Sequence, residues 1–100
     1  MYFVYILYSI KNKRSYVGTT NNLDKRLKQH NNGEVKSTRA WRSWILIYSE
    51  QYEILNDARK REWNLKCTPA GGKFKRLIIN NFLNDRYRAP GASGSRSTTY

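Results

Sequence analysis

The chain opens on an unbroken apolar run. Tyr2-Phe3-Val4-Tyr5-Ile6-Leu7-Tyr8 is β-branched and aromatic throughout, which predicts a buried strand. Lys11-Asn12-Lys13-Arg14 forms a polar break before Ser15-Tyr16-Val17-Gly18, so a hairpin with a short basic loop is expected. Asn21 or Asn22 is placed to cap a helix from about Leu23 to His30, with Gly33 as its stop. A basic loop from Lys36 to Arg42 leads to a third strand, Trp44-Ile45-Leu46-Ile47-Tyr48. Asn56 is expected to cap a second helix that ends near Cys67. Thr68-Pro69-Ala70-Gly71-Gly72 reads as a turn. A last helix then runs from Lys73 to about Leu83, with Leu77, Ile78 and Phe82 on one side. The order β-β-α-β-α-α predicts an α+β fold, a small three-stranded, largely antiparallel sheet flanked by helices.

After Asp85 the composition shifts to Arg, Gly, Ser, Thr and Pro. Residues 1–85 are therefore the expected domain, and 86–100 a basic Gly/Ser/Thr-rich tail expected to be disordered. One hundred residues leave no room for a second core.

Charge changes the picture most. Nineteen Lys and Arg against seven Asp and Glu give a net charge of +12. A field that positive draws in polyanions, and a domain this small needs far less charge for solubility. Nucleic acid is the expected partner, DNA ahead of RNA, with an anionic membrane surface as the rival. Against the membrane, the longest apolar run, Met1 to Ile10, is far short of the ~20 residues a span requires. It also has neither a basic stretch before it nor a small-residue cleavage site after it, so no signal peptide is expected. No long basic helix with an apolar face is evident either. The single cysteine, Cys67, fits a reducing compartment and reads as packing. A cytoplasmic location, or a nuclear one in a eukaryotic or viral setting, is the expectation.

Helical spacing makes certain polar placements stand out. Leu23, Leu27 and His30 share one stripe of the first helix, with Arg26 on its edge. Ile54, Ala58 and Leu65 define an inward stripe on the second helix, and Glu62 falls in the middle of it. A carboxylate there is costly unless a cation, a metal or hydrogen-bond donors meet it. Two readings stand side by side: a partly buried ion pair with Arg26 or a lysine, or a ligand for a hard divalent cation such as Mg²⁺. Arg26 is likewise an ion-pair partner or a fork for a phosphate. His30 is a packing residue or part of the same site. Tyr5 and Tyr16, on the two arms of the hairpin, are strand packing or active-site hydroxyls.

Taken in order, these residues resemble the GIY-YIG nuclease family. Phe3-Val4-Tyr5 is followed by Tyr16-Val17-Gly18, eleven residues after Tyr5, then by Arg26, His30 and Glu62. The stretch from Tyr16 to His30 is similar to that family's second motif and following helix, and Ala58-Arg59-Lys60-Arg61-Glu62-Trp63-Asn64-Leu65-Lys66 is similar to its metal-binding helix. The likeness covers about residues 1 to 80 and is strongest to the short stand-alone members. It implies that Glu62 holds one divalent metal ion, Mg²⁺ or Mn²⁺, which polarises the phosphate. It implies that Tyr16 deprotonates or positions the attacking water and that Tyr5 orients the water or the phosphate. Arg26 would neutralise charge growing in the transition state, and His30 would assist proton transfer or bind phosphate. In-line hydrolysis leaving 5′-phosphate and 3′-hydroxyl ends is the implied reaction. Phe3 departs from the family's opening Gly, and the family's late Asn has no clear match, Asn80 and Asn81 being the nearest positions.

Around this set, Lys11, Lys13, Arg14, Lys36, Arg39, Arg42 and Lys73 are the candidates to line an approach for a backbone. Trp41 and Trp44 flank Arg42 and are candidates for base stacking, with Trp44 assigned to the core because it starts a strand. Three functions follow in order: a metal-dependent endonuclease acting on DNA, structured or single-stranded; a nucleic-acid-binding module of the same fold with weak or no activity; and a basic RNA-binding protein. The last leaves Glu62 on an inward stripe unexplained.

Overall fold

The structure is a computed structural model that describes residues 1–86; the expected tail beyond lies outside them. Seven elements follow in order: β1 (Tyr2–Ser9), β2 (Arg14–Thr20), α1 (Leu23–Asn31), a 3₁₀ turn (Arg39–Trp41), β3 (Ile45–Tyr52), α2 (Leu55–Cys67) and α3 (Pro69–Arg86). The three strands form one antiparallel sheet in the order β2-β1-β3, which is the expected α+β architecture.

The apolar run of β1 has a simple cause: it is the central strand and both of its faces are covered. Val4, Ile6 and Tyr8 point to one face, where Val17, Ile47, Ala58 and Leu65 join them under α2 and α3. Tyr5 and Leu7 point to the other, with Trp44, under Leu23 and Leu27 of α1. Full burial of side chains such as Ile6 and Leu65, both at 0% exposure, stabilises the fold by about 1.5–3 kcal/mol each. Helices therefore sandwich a sheet whose outer strand β2 leaves one edge open.

Three local expectations are corrected. The second helix is not capped by Asn56; Ile54 stands at its N-cap with extended backbone and no capping side chain, and Asn56 lies inside the first turn. Because Ile54 is outside the helix, helical spacing does not apply to it, and it is 58% exposed. The stretch 68–72 is not a turn but the start of α3. Pro69 sits at the first helical position, and the Thr68 hydroxyl accepts from the Gly71 N–H at 3.0 Å. Glycine is needed at position 71 because a Cβ there would collide with the Asn64 carbonyl oxygen of α2. Finally, the packed face of α3 is set by Phe74, Ile78 and Phe82 with Ile79 and Leu83, which turns Leu77 outward.

The Asn22 cap of α1 forms as expected, its side-chain oxygen accepting from the Lys25 N–H at 3.1 Å. Gly33, at φ +80°, stops that helix. Among the described residues no helix is long and apolar enough to cross a membrane.

Candidate functional site

Pairing register settles which way the hairpin tyrosines point. Tyr5 lies opposite Gly18 and Leu7 opposite Tyr16, so Tyr5 and Tyr16 share the sheet face under α1 as diagonal neighbours. Their ring centroids are 6.3 Å apart. Gly18 leaves the space that Tyr5 fills: a Cβ there would stand 2.5 Å from the Tyr5 hydroxyl oxygen.

His30, at the end of α1, is fully buried behind these rings. Its Nε2 lies 3.0 Å from the Tyr5 hydroxyl and its Nδ1 2.8 Å from the Thr38 hydroxyl. Thr38 donates its own proton to the Val35 carbonyl, which leaves its oxygen to accept from Nδ1–H. Nε2 then carries the lone pair and accepts from Tyr5. Burial pushes the His30 pKa down to about 4, with the Arg26 charge acting in the same direction, so the ring is neutral at physiological pH. Burial also lifts the Tyr5 hydroxyl to about 12, although Arg26 opposes that rise. His30 is not among the residues that line the groove described below; it backs the site through its hydrogen bond to Tyr5 and through ring contact with Tyr16, whose centroid lies 4.9 Å from its own.

The remaining candidates meet across the open edge of β2. Arg26, half-buried on α1, approaches both phenols, and the Tyr5 hydroxyl first among its neighbours raises its pKa. Glu62 arrives from α2 on the other side of the sheet. One of its oxygens accepts from the Thr19 hydroxyl at 2.6 Å and the other from the Lys66 ammonium at 2.7 Å. Burial pushes its pKa up, but Lys66 and Thr19 together outweigh burial and hold it below the ordinary carboxylate value. Strand alternation explains the arrangement: Tyr16 and Gly18 face α1, Thr19 faces α2, and the missing side chain at Gly18 lets one groove pass over the edge. That open groove, about 620 Å³, is lined by Tyr5, Tyr16, Arg26 and Glu62.

Among the described residues, Glu62 is the one acidic side chain on the groove. Among the described residues no three His, Cys, Asp or Glu gather as a metal cage. A single carboxylate nevertheless suits Mg²⁺, which keeps several waters and takes its other ligands from substrate phosphates. The residues present therefore fit a hard divalent cation once Lys66 yields its oxygen.

The basic candidates fall elsewhere. Lys11, Lys36, Arg39, Arg42 and Lys73 are exposed and do not line the groove. Lys13 and Arg14 line a second, smaller recess with Trp41 and Trp44, joined to the first through Tyr16. There the Arg14 guanidinium already covers the Trp41 ring at 3.9 Å. Trp44 is buried as expected, its indole N–H donating to the Thr38 carbonyl, although β3 begins one residue later. Asn80 and Asn81 are exposed on α3 and do not reach the groove. Sequence reasoning missed Thr19, Asn21, Arg59, Trp63 and Lys66, which line it. The α2 members had a signal: with Glu62 they follow one another at helical spacing.

Comparison with known proteins shows the family. The family model described as the GIY-YIG catalytic domain matches residues 1–73. A UPF0213 protein of Clostridium perfringens is 36% identical over 88 residues, covering 87% of this chain and 94% of the relative. A UPF0213 protein of Lactococcus lactis is 33% identical over 87 residues, covering 86% and 83%. The solution NMR structure of a UPF0213 protein from Bacillus halodurans superposes with a TM-score of 0.49 at 24% identity, across 95% of this chain and 100% of that one. The chain belongs to the GIY-YIG catalytic-domain family, alongside its small UPF0213 members.

Proposed function

We propose that this protein is a metal-dependent endonuclease that hydrolyses phosphodiester bonds in DNA. The observation that carries the reading is the convergence of Tyr5, Tyr16, Arg26 and Glu62 on one groove from four different elements. The net charge of +12 supplies the long-range attraction for a nucleic-acid backbone.

Glu62 would hold one Mg²⁺ or Mn²⁺ ion, which when bound supplies a Lewis acid against the scissile phosphate. Arg26 grips a non-bridging phosphate oxygen and offsets the charge that grows there. Tyr5 donates its proton to His30, so its lone pairs turn toward the groove and orient the attacking water. With a pKa near 12 it stays protonated and is not the base. Tyr16, beside it, holds the attacking water in place as the water gives up its proton to solvent. The water oxygen bonds to phosphorus as the bond to the 3′ oxygen breaks, and that oxygen takes up a proton from solvent. The products are a 5′-phosphate and a 3′-hydroxyl.

The test is incubation of the protein with labelled single-stranded, duplex and branched DNA and with RNA, in Mg²⁺, in Mn²⁺ and in EDTA. Cuts in DNA that need metal and vanish in Glu62→Ala, while DNA binding persists, are the expected result. Unchanged metal-dependent cleavage in that variant would sink the assignment. Binding without cutting in every metal would favour a binding module of the same fold, for which the Lys66 contact on Glu62 is the relevant observation.

A further inference from the structure

Trp63 is the most conspicuous side chain that the reaction leaves unused. It follows Glu62 on α2, lines the same groove, and is 61% exposed. It is the one aromatic among the large apolar side chains left in water in the described residues. An indole offers 150–250 Å² of apolar surface, so leaving it in solvent forgoes a large stabilisation. Leu55 and Tyr2, both half-buried, extend the apolar strip on the groove wall. Arg59 lies one turn before Trp63 and Lys66 one turn after it, on the same groove-facing side.

Charge decides what covers this surface. A second copy of the chain would bring another +12 against the same cations. A polyanion that carries flat apolar rings satisfies both the indole and the cations beside it. We infer that Trp63 is a stacking platform for an unpaired nucleobase adjoining the phosphate held at Glu62 and Arg26. A base inside a duplex is stacked on its neighbours and cannot present its face to the indole, so the strand lying here is single-stranded, or frayed at this nucleotide. The inference rests on the endonuclease reading for the identity of the neighbouring phosphate. It adds the conformation of the substrate, and it makes Trp63 a positioning residue, one that sets the register of the strand without touching the reacting atoms.

The experiment uses the full chain in EDTA, so that no cleavage intervenes. Binding is followed by fluorescence anisotropy for three probes: a short single-stranded DNA, the same strand with consecutive abasic positions, and a blunt duplex. Trp63→Ala is expected to weaken binding of the intact strand by about five- to a hundredfold and to leave the abasic strand and the duplex unchanged. Trp63→Phe is expected to recover most of the loss. Quenching of tryptophan emission on binding the intact strand is expected in the wild type and not in Trp63→Phe, because Trp44 is buried and Trp41 is covered by Arg14. Equal losses for the intact and abasic strands, or no loss for either, would overturn the stacking role. Failure of the endonuclease reading shows separately, as absence of metal-dependent cleavage, and leaves these binding outcomes interpretable.

Discussion

Gly18 faces Tyr5 across the β1–β2 ladder, and the Tyr5 ring occupies the volume that a side chain at 18 would need. In most strands Gly→Ala is favourable by about 0.5–1 kcal/mol, through the entropy of the unfolded chain. Here the sign is reversed, because Tyr5 is buried and tied to His30 and cannot swing aside. Gly18→Ala is expected to lower stability by about 1–3 kcal/mol in urea unfolding. By displacing the Tyr5 hydroxyl it should also reduce any cleavage by about a hundredfold. Unchanged stability would mean that the ring has room to retreat.

His30 makes the fold sensitive to mild acid. Its pKa in the folded protein is about 4, below the ordinary 6.5. Between those values the unfolded chain takes up a proton that the folded chain refuses. Stability present at pH 7 is therefore lost as the pH falls from about 6.5 toward 4, by about 3 kcal/mol in all. The carboxylates with lowered pKa values, Glu50 and Glu62, act in the same direction but at lower pH. Urea midpoints at pH 7 and pH 5 should differ in the wild type and move together in His30→Gln.

Lys66 holds a Glu62 oxygen that the proposed divalent cation would need, so on that proposal the two compete. Removing the lysine should lower the Mg²⁺ concentration that gives half-maximal cleavage, and it should weaken DNA binding at the same time. The ion pair is an i,i+4 contact with 41% of the lysine side chain exposed, so its loss should cost about 0.5 kcal/mol of stability or less. A Mg²⁺ titration of Lys66→Ala that needs more metal than the wild type would contradict the competition.

Glu50 anchors the far side of the sheet. Its carboxylate accepts from the Tyr48 hydroxyl at 2.5 Å, from the Tyr52 hydroxyl at 2.6 Å and from the Arg61 guanidinium at 2.9 Å. Burial pushes its pKa up, but Arg61 and the two tyrosines outweigh burial. Glu50→Ala leaves three donors without an acceptor in a half-buried setting, and should cost about 2–3 kcal/mol in thermal or urea unfolding. None of these four residues lines the groove. Michaelis constants measured well below the melting temperature should therefore hold, and a shift in them would place Glu50 within reach of the substrate.

Strand and helix order, the apolar centre of β1, the Asn22 cap and the spacing of Tyr5, Tyr16, Arg26 and Glu62 are all written in local pattern, because each depends on neighbours a few residues away. Pattern alone misjudged Thr68 to Gly72. Two glycines and a proline are breakers in isolation, and only the close approach of α3 to Asn64 makes glycine the residue that fits there. It likewise left Tyr5 and Tyr16 without a face, since pairing register is a relation between strands. What passes between α1 and α2 was decided by the fold alone. β2 lies at the sheet edge, Gly18 has no side chain, and so Arg26 above the sheet and Glu62 below it open onto one groove. His30 shows the same division. Its helical position placed it on the inward stripe, but its two hydrogen bonds, to Tyr5 and to Thr38, join residues twenty-five and eight positions away. Contacts of that kind exist only once the chain has closed on itself, and no periodicity records them.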